Sequence, residues 1–383
     1  MGSLPATTEA TRFGSYHLVA RLATGGMAEI FLARRLGVAG FEKLVCIKRI
    51  LPHLARDKQF VAMFLDEARI AARISHPNVC QVFELGELDG SLFLAMEYLE
   101  GVPLACFRRP DYYGAPPDPR LVSGIAVQAC EGLHHAHQLK HADGTVMEVV
   151  HRDVSPQNLF VTVDGIVKVL DFGIAKVEDA TIRTSTGAVK GTYAYMAPEQ
   201  LRGERVDRRT DVFAMGIVLW ETLTRRHLFK RDTDFLTFQA ITSEPIDDVR
   251  VRRPDVPGAL AAVIARALSR ERDDRYPTAR ALGEAIAEAA PPLPASAISA
   301  EIARAFAAEL AEQAALIRVA REGGAFELDL DRGPSVGLGA ELLTTPAHSH
   351  YVPPAARARQ SAETRVARPV ARASTPPWRA IAI

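Results

Sequence analysis

The sequence predicts an α+β protein in which a sheet-rich N-terminal lobe is followed by a mainly helical lobe. Between residues 16 and 101, short runs rich in β-branched and aromatic residues alternate with turn signals, which indicates antiparallel strands. One amphipathic segment at about 57–75 interrupts these strands, and helical patterns dominate from about 118 to 290. Because the strands come first and the helices afterwards, the sheet and the helices are expected to form separate layers.

The main domain is predicted over residues 16–290, with its two lobes at 16–101 and 102–290. Residues 1–15 are small and polar and are expected to form a flexible leader. The strand runs within the first lobe read "YHLVARLA", "AEIFLARRL", "KLVCIKRI", "VCQVFELGEL" and "SLFLAMEYL". In the second lobe, "DVFAMGIVLWETL" (211–223) is apolar almost all round, which indicates a buried helix.

Two further segments are predicted after the main domain. Residues 295–324 form an amphipathic helical extension, because apolar side chains recur there at every fourth position and two glycines then stop the helix. The apolar stripe is made of Ile298, Ile302, Phe306 and Leu310. Residues 325–383 are rich in proline and arginine and are predicted to be a disordered tail.

The composition argues against nucleic acid and membranes as partners of the main domain. Lys plus Arg and Asp plus Glu are balanced at 46 each, so no global field attracts the chain to a charged polymer. No stretch reaches about 18 uninterrupted apolar residues, and no secretory signal is present, so no membrane span is predicted. The four cysteines show no C-x-x-C spacing, which favours a reduced, cytoplasmic protein.

An Asp-Gly turn is expected to bring two polar side chains together at the base of a hairpin. Two apolar runs, 159–163 and 166–170, are joined by Asp164-Gly165, a strong signal for a two-residue turn. Such a turn pairs Asn158 with Asp171 at a Cβ separation of about 4.5–5.5 Å. An amide oxygen and a carboxylate held that close suit Mg²⁺, while a polar pair without a ligand is the alternative.

A carboxylate on the buried side of the helix at 57–75 needs a partner. Glu67 lies within the apolar seam of this helix, where an unpaired charge is costly. Lys48, in the strand that precedes the helix, is the leading candidate. An ordinary structural salt bridge explains the pair equally well at this point.

A Gly-Gly turn and a helix start complete the candidate features. In "LATGGMAEIF" (22–31) glycines between two strands allow backbone N–H groups to approach phosphate oxygens, although most such turns bind nothing. Asp211 begins the buried helix at 211–223, and capping of that helix is its simplest role.

Taken together, these residues resemble the eukaryotic-type serine/threonine protein kinases in their bacterial form. The resemblance covers about 16–290 and implies the two-lobed protein-kinase fold, with an antiparallel sheet plus one helix in the N-lobe and a mainly helical C-lobe. The motifs occur in the family's order: the Gly-rich loop at 22–30, Lys48, Glu67, "MEYLEG" (96–101), "HRDVSPQN" (151–158), "DFG" (171–173), "GTYAYMAPE" (191–199), Asp211 and Arg275.

The resemblance implies a role for each of these residues. Lys48, held by Glu67, would bind the phosphates of ATP, and Asn158 and Asp171 would hold Mg²⁺, with Mn²⁺ as an alternative. Asp153 would accept the proton of a substrate Ser or Thr hydroxyl. The remaining nucleotide-binding residues would be Leu22, Ala23, Thr24, Gly25, Gly26, Met27, Ala28, Glu29 and Ile30 in the loop, Met96 as gatekeeper, and Glu97 and Leu99 in the hinge (97–99).

Other matching residues are implied to be structural or regulatory. Glu199 would pair with Arg275, Asp211 would anchor the catalytic loop from below, and Thr192 belongs to the "GTYAYMAPE" motif. Segment 174–191 resembles an activation loop, and Arg152 is the natural partner of a phosphate there. We therefore predict autophosphorylation at Thr184 or Thr186. Partners would be proteins that offer Ser or Thr, and the family also allows a homodimer for trans-autophosphorylation.

The chain departs from the family's pattern at three places. Ser155 stands where the family has a lysine that touches the transferring phosphate, and loss of one such donor typically costs about 10²–10³ in rate. Ala23 and Ala28 replace the outer glycines of the loop. The connection before "HRD" is longer than usual, and Asp143-Gly144 within it predicts a small hairpin.

Rival interpretations of this sequence remain. A pseudokinase scaffold would bind nucleotide and partners without phosphoryl transfer, and a small-molecule kinase would lack a peptide-docking surface. The arginines of the tail and Trp378 could contact nucleic acid, although a solvated tail is the simpler interpretation. The histidines of "LHHAHQLKH" offer no zinc set at tight spacing and are expected to face solvent or pack at a helix end.

Overall fold

The computed structural model describes residues 7–110, 113–172 and 192–326. The strands are β1 (Thr7–Glu9), β2 (Thr11–Phe13), β3 (Tyr16–Thr24), β4 (Ala28–Leu36), β5 (Glu42–Ile50), β6 (Val82–Leu88), β7 (Ser91–Glu97), β8 (Gly101–Pro103), β9 (Leu159–Thr162), β10 (Val167–Val169) and β11 (Gly324–Phe326). The helices are α1 (Lys58–Ala71), α2 (Pro119–His137), α3 (Pro198–Arg202), α4 (Arg209–Thr224), α5 (Asp234–Thr242), α6 (Gly258–Ala267), α7 (Ala279–Ala289), α8 (Ala295–Ala305) and α9 (Ala307–Arg321).

The N-lobe is an antiparallel sheet with the strand order β2-β3-β4-β5-β7-β6. Alternate side chains of β3, β4, β5 and β7 point to one face and form a buried cluster around Phe31, Ile47 and Phe93. The predicted strands at 16–23, 28–36, 43–50 and 91–99 are therefore confirmed, with small shifts at their ends.

The prediction of a flexible leader is wrong for residues 7–13. Residues 11–13 form β2, which pairs with the start of β3, and the Phe13 ring packs edge-on against Phe93 at 5.1 Å. Residues 7–9 form β1, which pairs with β11 near the other end of the described chain. The sequence does not predict these strands, because they are polar and their partners are distant or lie across a tight turn.

Helix α1 packs beside the sheet and carries Glu67 toward the cleft between the lobes. Asp57 caps it, because its carboxylate accepts hydrogen bonds from the backbone N–H groups of Gln59 and Phe60 at 2.9 and 3.0 Å. Phe60, Phe64 and Ala68 are buried on one face. The amphipathic helix predicted at 57–75 is thus confirmed over a shorter range.

The C-lobe is built around α4, the helix predicted to be buried. Every residue from Thr210 to Leu223 is buried, and the large apolar cluster of this lobe includes the helices on both sides of it. The small hairpin predicted at Asp143-Gly144 is also present, because Lys140 bridges Val146 and the His141 N–H donates to the Thr145 carbonyl at 2.8 Å.

The hairpin β9–β10 exists, but its predicted register is wrong by one residue. Leu159 pairs with Val169 and Val161 with Val167, and the Leu170 N–H donates to the Asn158 carbonyl at 2.8 Å. The loop closes between Thr162 and Ile166 and so contains three residues, with Gly165 in the left-handed region at φ +75°. Asn158 therefore lies opposite Leu170 and not opposite Asp171.

The predicted extension at 295–324 is confirmed as two helices that fold back on both lobes. Ile298 and Ile302 of α8, with Phe306 between the helices, are fully buried in the C-lobe cluster. In α9, Leu316 and Ala320 are buried against β3 and β4 of the N-lobe. The tail prediction begins too early, since Ala325 and Phe326 belong to β11; the rest of it, from 327, lies outside the described residues.

None of the helices in the described ranges is both long and apolar enough to cross a bilayer.

Candidate active site

A cleft between the lobes brings together eight of the residues that the sequence singled out, and Asp153 and Asn158 are not among those that line it. The N-lobe contributes Leu22, Ile30, Lys48 and Met96 to its lining, and α1 contributes Glu67. The C-lobe side is lined by residues around β10, including Asp171 and Phe172. The lining is mostly apolar near the hinge and charged at the inner end, which suits a ligand with a flat apolar part and an anionic part.

An ion pair marks the inner end of the cleft. The Lys48 Nζ lies 2.8 Å from the Asp171 Oδ1, although the two residues are 123 positions apart in the chain. Burial alone would lower the pKa of Lys48, but the charges of Asp171 and Glu67 outweigh it and raise that pKa. Lys48 is therefore protonated. Glu67, its predicted partner, acts on Lys48 through its charge.

Asp171 reaches the lysine because its backbone leaves the strand abruptly. Its φ is +45°, a left-handed conformation that is uncommon for a residue with a side chain. Phe172, next in the chain, is buried and packs its ring against His151 at 4.6 Å. This local conformation, and not the two-residue turn expected from the sequence, is what points Asp171 into the cleft.

The catalytic loop holds Asp153 and Asn158 against each other. The Asn158 Nδ2 donates to the Asp153 carbonyl at 2.8 Å and to the Asp153 Oδ2 at 3.1 Å. The Asp153 N–H donates to the His151 Nδ1 at 3.2 Å. The loop is thus closed by its own side chains, and the Asn158 amide is oriented with its nitrogen toward Asp153.

Asp211 supports this loop from below, in the position that the resemblance implies. Its Oδ2 accepts the His151 N–H and its Oδ1 accepts the Arg152 N–H, both at 2.8 Å. Burial alone would raise the pKa of Asp211, but its hydrogen bonds with His137 and the loop lower it. Helix capping, the simplest role from the sequence alone, does not describe these contacts.

His137 contacts Asp211, a pairing that the sequence does not predict. The histidine packs at a helix end, one of its two expected positions, where it is buried and its Nε2 lies 2.7 Å from the Asp211 Oδ2. It sits at the last position of α2, directly below the catalytic loop. The only signal available was its helical spacing from buried residues, because its partner is 74 positions away.

Arg152 is half-buried in the loop at 151–158. Its backbone takes a left-handed φ of +66°, and its carbonyl accepts a hydrogen bond from the Gln200 Nε2 at 3.1 Å. Within the described ranges its buried Nε has no hydrogen-bond partner. A buried donor of this kind is expected to have one in a functional state.

The predicted pair of Glu199 and Arg275 is present and fully buried. Two parallel hydrogen bonds of 2.8 Å join the guanidinium to the carboxylate, and the Thr210 hydroxyl donates a third to the same carboxylate. Burial alone would raise the pKa of Glu199, but these donors lower it. The pair fixes α3 to the segment that precedes α7.

The Gly-rich loop contributes less to the lining than predicted. Of its nine candidate residues, 22–30, only Leu22 and Ile30 line the cleft in the described structure. Glu29 points elsewhere, since its carboxylate is buried between Arg21 and Arg49 at 3.2 and 2.6 Å. Two arginines therefore neutralise the Glu29 carboxylate, and the assignment of Glu29 to the nucleotide site stays a prediction.

The hinge residues lie where the resemblance places them. Met96, Glu97 and Leu99 line the cleft. The Glu97 side chain is engaged, because its Oε1 accepts from the Lys168 Nζ and from the Gln81 N–H, both at 2.7 Å. The Glu97 backbone N–H is engaged as well, because it donates to the Gln81 carbonyl at 2.9 Å.

Three thiols also belong to this cleft. Cys46, Cys80 and Cys106 line it, and the four cysteines of the chain are all free. Removal from water raises the pKa of Cys46 and of Cys106 to about 12, and that of Cys80 well above its ordinary value. The thiols behave as apolar packing groups, and the cytoplasmic location inferred from cysteine usage stays a prediction.

The two predicted phosphorylation sites, Thr184 and Thr186, lie outside the described residues. Thr192 begins a short turn of 3₁₀ helix that ends at Tyr195.

Comparison with known proteins identifies the class that this fold and site define. Residues 16–285 match the protein kinase domain, so the chain belongs to the protein kinase family. The predicted resemblance to protein kinases and the predicted two-lobed fold are thus confirmed. The kinase domain PknI of Mycobacterium tuberculosis superimposes with a TM-score of 0.57 at 27% identity, covering 74% of this chain and 100% of that one.

Relatives with similar sequences include bacterial protein kinases. The tyrosine-protein kinase MasK of Myxococcus xanthus is 48% identical over 278 residues, which cover 72% of this chain and 43% of MasK. The serine/threonine-protein kinase PknB of Mycolicibacterium smegmatis is 38% identical over 271 residues, covering 69% of this chain and 41% of PknB. The chain thus spans about two fifths of the length of these relatives.

Proposed function

We propose that this protein transfers the γ-phosphate of ATP to Ser and Thr hydroxyls of proteins. The observation that carries the proposal is the ion pair of Lys48 and Asp171, at 2.8 Å, at the inner end of an apolar cleft. Such a pair holds a fixed cation where the phosphates of a bound nucleotide would lie. The relatives named serine/threonine kinases favour the same substrate class.

Lys48 and the residues of the loop at 151–158 carry out the transfer. Lys48 binds and orients phosphate oxygens of the nucleotide, while the adenine lies against Met96 and the hinge backbone. Asp153 orients the substrate hydroxyl and accepts its proton as the oxygen attacks phosphorus. The hydrogen bond from the Asn158 Nδ2 keeps the Asp153 carboxylate in place for that step.

The donor set also fits a magnesium ion bound with the nucleotide. Because the Asn158 nitrogen donates to Asp153, its oxygen is the atom turned toward a cation, and the Asp171 carboxylate supplies the second ligand. Oxygen ligands of this kind suit Mg²⁺, and Mn²⁺ is an alternative. The ion neutralises charge on the phosphates when it is bound.

Activation by phosphorylation completes the proposal. Arg152 has a buried Nε without a hydrogen-bond partner among the described residues, and a phosphothreonine at position 184 or 186 would supply one. Phosphoryl transfer from one copy of the chain to another is the simplest route to that modification. Mass spectrometry of the active enzyme tests it, and active protein that is bare at both positions would contradict it.

A radiolabelled-ATP assay tests phosphoryl transfer itself. Wild type should label itself or a general protein substrate, and Asp153→Asn should reduce the rate by about 10²–10⁴, because general-base catalysis is lost. Asp66→Asn, the same change on the exposed face of α1, should leave the rate unchanged. A wild type that binds ATP without transferring label would support the pseudokinase scaffold instead.

A second candidate is transfer to tyrosine. It is favoured by the 48% identity with a relative named a tyrosine-protein kinase. Phosphoamino-acid analysis of the labelled products separates the two. Phosphoserine and phosphothreonine are expected, and phosphotyrosine alone would replace the first proposal.

A further inference from the structure

The second helix of the extension, α9, reaches the cleft. Glu312, Gln313 and Leu316 of α9 line the same cleft as Lys48 and Met96. The family match ends at residue 285, so these three residues lie outside the region that the family describes.

The path of the extension explains how α9 comes to lie there. Ser299 of α8 donates through its hydroxyl to the Val163 carbonyl of the β9–β10 loop at 2.6 Å. Tyr113 donates its hydroxyl to Glu301 of α8, and the Phe306 ring packs against Phe107 at 5.2 Å. The chain is thus fixed to the C-lobe immediately before α9 begins.

Gln313 fastens α9 to the backbone just after the hinge. Its Oε1 accepts from the Gly101 N–H at 3.0 Å, and its Nε2 donates to the Gly101 carbonyl at 2.7 Å. One amide side chain therefore satisfies both polar groups of one backbone residue. This double contact sets both the distance and the rotation of the helix relative to the hinge.

Leu316 continues the contact into the N-lobe. It is buried with Val19, Ala20 and Leu32 of β3 and β4, and Leu22 packs against the same cluster. Because Leu22 begins the Gly-rich loop and lines the cleft, α9 touches the hinge and the roof of the cleft at the same time.

Glu312 is the polar group that this arrangement presents to a ligand. It is exposed, it lines the cleft, and within the described ranges its carboxylate has no ion-pair or hydrogen-bond partner. At the hinge end, the other cleft carboxylate, that of Glu97, is already paired with Lys168. A nucleotide with its phosphates at Lys48 and its base at the hinge has its ribose between them, and the ribose hydroxyls are donors that suit a carboxylate.

We propose that α9 is part of the nucleotide site, with Gln313 positioning the helix on Gly101 and Glu312 accepting a hydrogen bond from the ribose hydroxyls. This inference rests on the proposed nucleotide binding. It adds a specificity-determining contact from a segment outside the kinase domain.

Calorimetric titration of the full chain with ATP, adenosine and adenine tests the proposal. Glu312→Gln keeps a neutral acceptor but removes the charge, so it should weaken ATP and adenosine about fivefold and leave adenine unchanged. Glu322→Gln removes the same charge from the end of α9, away from the cleft, and should leave all three ligands unchanged.

Gln313→Ala distinguishes positioning from general damage. If Gln313 acts through Glu312, the Gln313→Ala substitution should weaken ATP binding by the wild-type chain but should cause little further loss in the Glu312→Gln background. Equal losses in both backgrounds, or unchanged ATP affinity in Glu312→Gln, would overturn the proposal. A wild type that binds neither ATP nor adenine would instead overturn the proposed function.

Discussion

Ser155 lies two positions after Asp153, where the resemblance expects a lysine. It is 5% exposed, and its carbonyl accepts the Asn158 N–H at 3.0 Å, so its backbone belongs to the framework of the catalytic loop.

We expect Ser155→Lys to raise the turnover number by at least tenfold. A cation at the transferring phosphate is typically worth about 10²–10³ in rate, and serine supplies no charge. Steady-state assays with saturating ATP measure the effect, with Ser155→Ala as the control that should show no gain. An unchanged turnover number for the lysine variant would mean that another cation already covers that phosphate.

The Glu199–Arg275 pair predicts a large loss of stability for Glu199→Gln. Removing one partner leaves a buried guanidinium unpaired, which costs about 3–5 kcal/mol in the free energy of unfolding. Urea denaturation measures the loss. Asp66→Asn breaks the exposed pair with Arg69 and should cost less than about 1 kcal/mol.

The same pair predicts the direction of a pH dependence. The pKa of Glu199 is lowered in the folded state. Its contribution to the free energy of unfolding is therefore present above the pKa of about 4.3 in the unfolded chain, and it is lost as the pH falls through the folded-state pKa. The difference in the free energy of unfolding between wild type and Glu199→Gln should therefore be largest near neutral pH and should shrink below about pH 4. A difference that grows on acidification would contradict the assignment.

At the scale of elements, the turn of the β9–β10 hairpin supports the start of α8. A Cβ placed on Gly165 would lie 2.0 Å from the Ala295 carbonyl oxygen, and Gly165 has a left-handed φ of +75°. The hairpin that carries the catalytic loop and the helix that begins the extension are therefore in direct contact.

Gly165→Ala should destabilise the protein far more than Gly144→Ala. Both glycines have positive φ, which costs a residue with a Cβ about 1–2 kcal/mol, but Gly144 has no heavy atom near its added Cβ. Thermal and urea unfolding of the two variants provide the comparison. Equal losses would show that α8 does not pack on the turn.

Much of each lobe could be predicted because its patterns are local. The alternation of β3, β4 and β5 and the uniformly apolar α4 specify strand and helix without knowledge of their partners. The register of β9–β10 could not be predicted, because Asp164-Gly165 fits a two-residue turn and also a three-residue loop ending at a left-handed glycine. The contact of Gln313 with Gly101 joins residues 212 positions apart, and no periodicity signals it.

At the scale of the whole molecule, the extension belongs to both lobes. Phe306 is buried in the cluster of the C-lobe, and Leu316 and Ala320 are buried in a cluster of the N-lobe. Strand β11 then pairs with β1, so the two ends of the described chain meet. Relative movement of the lobes must therefore carry α9 with it or strain these contacts.

We expect the two lobes of the full chain to unfold together in urea. Fluorescence of Trp220, measured in a Trp378→Phe background, reports the C-lobe, and hydrogen exchange of β3 to β5 reports the N-lobe. The two midpoints should coincide when no other residue is changed. Leu316→Ala should cost about 2–5 kcal/mol and separate the two midpoints. Leu36→Ala, an exposed position on β4, should not separate them. Separate midpoints in the Trp378→Phe background alone would contradict the coupling.

The cysteines that line the cleft have a consequence for chemical intervention. Electrophilic drugs and cellular oxidants attack the thiolate, and the pKa values of about 12 at Cys46 and Cys106 keep these sulfurs protonated at physiological pH. We therefore expect these two thiols to react slowly with oxidants that attack the thiolate. A covalent inhibitor aimed at them would need a warhead activated by proximity, since the intrinsic nucleophilicity of these residues is suppressed.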